Sequence, residues 1–95
     1  MKSDRISKEE LIKLYQIEVE FFQELESCGL IETRIENEVT YLLYEDLGSF
    51  ERLLNFHYDL EVNVPGLEII TRLLSQIESL QSENRRLLHE RAFNN

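Results

Sequence analysis

Apolar positions recur at helical spacing in two short stretches near the beginning of the chain. Ser7 and Glu10 form a capping-box pattern, in which the first residue caps a helix and the third helical residue bonds back to it. Leucine and tyrosine side chains follow at helical spacing, and a break at residues 16–18 precedes a second periodic stretch that ends near Gly29. The apolar stripe of this second stretch is formed by Val19, Phe22 and Leu25. Two short helices joined by a tight turn predict a helix-turn-helix motif.

The next stretch has the pattern of a β-hairpin followed by a helix. Residues 30–35 and 39–44 are rich in β-branched and aromatic side chains, and the polar residues Glu36-Asn37-Glu38 lie between them. This pattern predicts a small hairpin, or wing. Apolar residues then recur at helical spacing from Leu47 to Tyr58, so we expect a third helix over about residues 45–60.

A long final helix has the clearest pattern in the chain. Asn63 can cap it, and Pro65 is tolerated in a first turn, where its missing N–H has no helical partner. A heptad repeat places Ile70, Ile77 and Asn84 at the a positions and Leu73, Leu80 and Leu87 at the d positions. We expect the first half to pack on its own domain and residues 77–87 to pair with a second copy. An amphipathic helix that packs only on its own domain is the alternative.

Together these elements predict a mainly α protein of the winged helix-turn-helix-like class, with a small β-hairpin wing and a long C-terminal dimerisation helix. Residues 1–62 would contain the helix-turn-helix, the wing and the third helix. Residues 63–95 would form the C-terminal helix, which packs on the domain and dimerises.

Charge is distributed unevenly along the chain. The net charge is −9, and residues 1–64 contain fifteen acids and six bases, whereas residues 65–95 contain four of each. An acidic N-terminal surface repels phosphates and attracts basic partners. The alternative is that the acidity only keeps a small protein soluble.

The sequence offers little for catalysis or metal binding. The single cysteine, Cys28, has no histidine nearby, and His57 and His89 are isolated, so we expect no metal site, no cofactor and no enzymatic activity. A lone cysteine fits a reducing compartment, and no apolar run approaches the length of a membrane span. We therefore expect a cytoplasmic protein that does not enter the membrane.

The order of elements resembles the MerR family. Residues 17–31, which end in Cys28-Gly29-Leu30-Ile31, are similar to the recognition segment of that family, and residues 41–47 resemble its wing-to-helix junction. Within the superfamily, the chain looks like a member of the chaperone-modulator family CbpM. The residues that carry this likeness are Val64-Pro65-Gly66-Leu67 and the run from Ile77 to Leu88.

The chain departs from DNA-binding MerR relatives where they place arginine. Gln23 and Leu42 stand at those positions of the recognition helix and the wing. We expect the exposed side of the same helix to carry Glu20, Glu24 and Glu26, and carboxylates near a phosphate repel it. DNA binding is therefore unexpected, although a MerR-type transcriptional regulator is the alternative function.

The resemblance to CbpM implies a partner. Proteins of that family bind the J-domain of a DnaJ-like co-chaperone, CbpA, and inhibit it. The J-domain has a basic helix that normally engages a DnaK-type chaperone, and an acidic competitor would cover it. The resemblance therefore implies a homodimeric, non-enzymatic inhibitor of a J-domain protein.

The expected contact surface centres on the second helix. Phe21 lies one position off the apolar stripe between Glu20 and Glu24, so we expect part of its ring to face solvent and anchor a basic partner. Glu36 and Glu38 at the wing tip would extend this acidic surface. The alternative is that Phe21 packs in the core, under the first helix or the wing, and that the glutamates are merely solvated.

Overall fold

A computed structural model describes residues 4–93 and confirms the mainly α, winged helix-turn-helix-like class. A small three-stranded antiparallel sheet accompanies four α-helices, the last of which is much longer than the others. In chain order the elements are β1 (Arg5–Ser7), α1 (Lys8–Tyr15), α2 (Val19–Ser27), β2 (Arg34–Glu36), β3 (Val39–Leu43), a 3₁₀ turn (Tyr44–Asp46), α3 (Leu47–Leu54), a π-helical segment (Asn55–Asp59) and α4 (Val64–Phe93).

The ends of α1 and α2 are set by local hydrogen bonds that the sequence predicts. The Ser7 hydroxyl accepts a hydrogen bond from the backbone N–H of Glu10 at 3.2 Å, which confirms the N-terminal cap of α1. At the end of α2, the N–H of Gly29 donates to the carbonyl of Glu26, and the N–H of Leu30 donates to that of Leu25. This pair of bonds is a Schellman motif, and Gly29 supplies its left-handed residue with a φ of 77°.

The sheet contains the predicted wing and one strand that the sequence pattern does not reveal. β3 lies between β1 and β2, with Ile6 opposite Leu42 and Ile35 opposite Thr40. β1 has only three residues, too few for an alternating pattern to show. β2 begins later than expected, at Arg34, because residues 30 and 31 direct their N–H groups to the end of α2 instead of the sheet.

The third helix has the expected extent but changes its winding along its length. It begins as the 3₁₀ turn, continues as α3 and ends in the wider π-helical segment. A π-helical turn adds a residue per turn and therefore reorients the side chains that follow it. In this chain the segment carries His57 and Tyr58 towards α2, where both contact Phe21.

Aromatic side chains join the helices into one core. Phe22 of α2 and Phe50 of α3 are fully buried, with ring centroids 6.0 Å apart, and Tyr15 of α1 meets Phe50 edge-on at 5.7 Å. Edge-on aromatic pairs add modestly to the large apolar area that such residues bury. The buried residues are Ile6, Leu11, Ile17, Phe21, Phe22, Leu25, Ile31, Leu42, Phe50, Leu53, Leu54 and Leu67.

Phe21 lies in the core, and the expectation that its ring faces solvent is wrong. Phe21 is 4% exposed, and its ring stacks on the ring of His57 with a centroid distance of 4.0 Å. The π-helical segment covers the ring of Phe21. The alternative that Phe21 packs in the core is therefore correct, but the covering element is neither the first helix nor the wing. Val19, which we expected in the buried stripe, is instead 42% exposed.

The long helix α4 is anchored at its start and stands clear of the body beyond it. The side chain of Asn63 accepts a hydrogen bond from the N–H of Gly66 at 2.8 Å, which confirms the predicted cap. A Cβ at Gly66 would lie 2.7 Å from a methyl group of Val62 and 3.0 Å from the capping oxygen of Asn63, so a larger residue there would displace one of these side chains. Leu67 is fully buried, but every residue from Ser75 to Phe93 is exposed.

Replacement of Phe21 tests its position in the core. We expect Phe21→Ala to lower the free energy of unfolding by about 3–5 kcal/mol, the range for truncating a core phenylalanine. Phe93→Ala is the matched control, because Phe93 is 74% exposed and its truncation should change stability little. Urea denaturation of both variants measures the difference, and equal small effects would contradict the assignment of Phe21 to the core.

Candidate protein-interaction surface

The exposed side of α2 carries carboxylates and, within that helix, no basic residue. At ~100° per residue, its buried residues occupy one side, and the exposed residues form an arc of about 140° on the other. The arc contains Glu20, Glu24, Gln23, Ser27 and Val19. In a helix-turn-helix protein that reads DNA, this is the helix whose side chains approach the major groove.

Two basic side chains close to this surface form ion pairs with glutamates. The guanidinium of Arg5 lies 2.5 Å from a carboxylate oxygen of Glu36 and stands over the ring of Tyr41. The ammonium group of Lys8 lies 3.8 Å from Glu26, whose other oxygen accepts a hydrogen bond from Thr33. The expectation that Glu26 lies on the exposed side of α2 is therefore wrong, because these contacts leave it half-buried. These contacts direct Arg5 and Lys8 towards carboxylates of their own chain.

The wing tip extends the acidic character of the surface. Glu36 and Glu38 are exposed, as the sequence pattern predicts, and Asn37 and Glu38 form the turn with φ values of 49° and 65°. Positive φ at both central residues is typical of a type I′ hairpin turn. Between Asp4 and Asp46 there are twelve acids and four bases, so the helix-turn-helix and the wing form a strongly acidic unit.

The structure contains a groove between the wing and the helix-turn-helix that the sequence does not predict. It has a volume of about 390 Å³, its apolar walls come from Ile12, Val19 and Val39, and its rim includes Glu9 and Glu38. These residues come from α1, from α2 and from the wing, and about twenty residues separate Val19 from Val39. The sequence does not indicate the groove, because helical spacing assigns Val19 to the core stripe, whereas in the structure this residue is exposed.

The predicted seam of α4 forms a continuous exposed stripe. Leu73, Ile77, Leu80 and Leu87 are about half exposed or more, Asn84 is exposed, and Ile70 is half-buried near the body. Outside the seam, Arg86 contacts Glu83 and Glu90 on the same helix. The hydrogen bond and the charge of Arg86 lower the pKa of Glu83. A solvent-exposed row of large apolar residues is the usual mark of an interaction surface.

Neither a cluster of metal ligands nor a membrane-spanning helix occurs in the part of the chain that the structure describes. Among residues 4–93, no group of three or more His, Cys, Asp and Glu side chains could hold a metal ion. None of the helices formed by these residues is long and apolar enough to cross a membrane. One titratable group in the core region is perturbed: burial, and then the neighbouring Glu51 carboxylate, raise the pKa of Tyr15.

Comparison with known proteins identifies the family. The family model described as MerR HTH family regulatory protein matches residues 6–89, which is most of the chain. The chain belongs to this family. Neither the comparison with curated proteins nor that with solved structures gives a match. The family is regulatory, and its model does not distinguish chaperone modulators from other members.

Binding to DNA can be tested directly on this MerR-family chain. We expect no shift of a mixed duplex in a gel at low salt, where phosphate attraction is greatest, because the exposed arc of α2 is acidic. The variant Glu20→Lys with Glu24→Lys replaces two negative charges by two positive ones, so it should shift the duplex more than the wild type does. A clear shift by the wild-type chain would contradict this prediction.

Proposed function

We propose that this MerR-family protein is a non-enzymatic chaperone modulator that binds the J-domain of a DnaJ-like, CbpA-type co-chaperone and inhibits it. The observation that carries the proposal is the acidic exposed arc of α2, defined by Glu20 and Glu24, on a fold whose DNA-reading members need bases there. The resemblance to CbpM in residues 64–67 and 77–88 supplies the partner.

The proposed inhibition works by covering a basic surface. The J-domain of such co-chaperones engages a DnaK-type chaperone through a basic helix, and the acidic unit between Asp4 and Asp46 complements that charge. Charge complementarity speeds encounter and selects partners, while apolar contacts near the centre of an interface usually supply most of the affinity. An acidic protein bound to the basic helix excludes the chaperone sterically and needs no catalytic group.

A MerR-type regulator that binds DNA is the second candidate, and it is compatible with the same family match. Such a protein needs bases that reach phosphates from the recognition helix and the wing. In the wing, Arg34 is an exposed base, whereas Gln23 and Leu42 stand where the resemblance to DNA-binding MerR proteins implies arginine. Leu42 is fully buried, so it contributes to the core instead of the surface.

We also propose that the protein acts as a homodimer joined through α4. A stretch of exposed helix from Ser75 to Phe93 is marginally stable in water by itself, because isolated helices need packing or many side-chain pairs. The seam of α4 offers its apolar row to a second copy, and a polar residue at an a position such as Asn84 specifies register in coiled coils.

Charge reversal on α2 tests the proposed function. Glu20→Lys with Glu24→Lys should weaken binding to the J-domain by at least about tenfold, which corresponds to roughly 1.4 kcal/mol. Both residues are exposed, so the melting temperature should barely change. Glu68→Lys with Glu78→Lys is the matched control, since it changes the net charge equally on α4. Isothermal calorimetry decides: a wild-type chain that does not bind the J-domain would refute the proposal.

Light scattering at micromolar concentration tests the homodimer. We expect twice the mass of the 11.4 kDa chain for the wild type. Replacement Asn84→Leu should raise stability and alter the oligomeric state, because it removes the polar residue from the seam. Leu80→Glu should give a monomer, whereas Arg85→Glu, outside the seam, should leave the dimer intact. A monomeric wild type would contradict the proposal.

A further inference from the structure

The groove between the wing and the helix-turn-helix provides an apolar site within an acidic surface. Val19 and Val39 are 42% and 38% exposed, and Ile12, which also lines the groove, is half-buried. Exposed apolar walls in a recess are stabilised when an apolar side chain from a partner fills the space. Glu9 and Glu38 are exposed at the rim, so a carboxylate stands on α1 and another on the wing.

We propose that this groove is the anchor site for a basic amphipathic helix of a protein partner. The inference rests on the proposed function and deepens it, because it assigns the apolar contact that the buried Phe21 cannot make. One apolar side chain of the helix would enter the groove between Val19 and Val39. Lysine or arginine side chains one turn away on either side would reach Glu9 and Glu38.

The charge of the groove favours a basic helix over a second copy of this chain or a nucleic acid. Lys8 also lines the groove, but its ammonium group lies 3.8 Å from Glu26 and 5.4 Å from the centre of the Phe22 ring. The rim therefore presents its carboxylates to the partner. A second copy of the same acidic unit would be repelled, and so would a nucleic acid, because both bring negative charge to the groove.

The site also differs from a pocket for a small molecule. Such pockets hold a few polar groups that converge on the ligand and fix its orientation. The polar side chains that line this groove are Lys8, Glu9, Glu38 and Thr40; Glu9 and Glu38 are exposed, and the ammonium group of Lys8 is directed towards Glu26. An open apolar trough with charged edges is instead the form that takes the apolar face of a helix.

A nuclear magnetic resonance titration tests the groove without assuming the natural partner. The probe is a synthetic amphipathic helix of leucine and lysine, added to the isotope-labelled full chain, and the control is the same helix with glutamate in place of lysine. We expect the lysine helix to shift the amide signals of Val19, Val39 and Thr40, and the glutamate helix to shift none. Shifts confined to α4, equal effects of both helices, or no shift with either would overturn the inference.

Variants then separate the groove from the proposed function. Val19→Thr with Val39→Thr keeps the shape and charge of the groove but makes its walls polar, and should weaken binding of both the lysine helix and the J-domain by about tenfold. Leu60→Thr is the control, because Leu60 is exposed and does not line the groove. If the wild type binds the J-domain and the double variant binds it equally well, the groove inference fails and the proposed function stands. If the wild type binds the lysine helix through the groove but does not bind the J-domain, the proposed function fails and the groove inference stands.

Discussion

Two consecutive phenylalanines on a short helix, both buried, determine the surface that this protein presents. Neighbouring residues on a helix point ~100° apart, so Phe21 and Phe22 can both be covered only if α2 is packed on two sides. Phe22 meets Phe50 of α3, and Phe21 meets His57 of the π-helical segment. Between them these contacts fix the rotation of α2 about its axis, and that rotation is what directs Glu20 and Glu24 to solvent.

The electrostatics of the surface follow from that rotation. The exposed arc of α2 lies beside a wing whose tip carries Glu36 and Glu38, and the nearby bases Arg5 and Lys8 are paired with carboxylates of the chain itself. A winged helix-turn-helix with such a surface keeps the architecture of a nucleic-acid reader while repelling phosphates. The proposed role is therefore protein recognition on a rigid support, together with the proposed pairing of two copies through the long helix.

Local patterns in the sequence predict most of the fold, because caps and periodicity act over a few residues. The capping bonds at Ser7 and Asn63 and the helix end at Gly29 are all confirmed. The acidic residues of the predicted site are exposed as expected, but Phe21 is not, since its cover depends on a π-helical turn more than thirty residues later. The Val19–Val39 groove escapes prediction for the same reason, because it arises from contacts between distant segments, whereas strand β1 is too short to show an alternating pattern.

The central claim is that the helix-turn-helix and the wing form the protein-binding surface. Hydrogen exchange of the full chain, with and without a saturating J-domain, tests it most directly, because partner binding slows exchange of the amides that it covers. We expect slower exchange in α2 and in the wing turn around Asn37, with α4 unchanged. Protection confined to α4, or no protection anywhere along the chain, would contradict it.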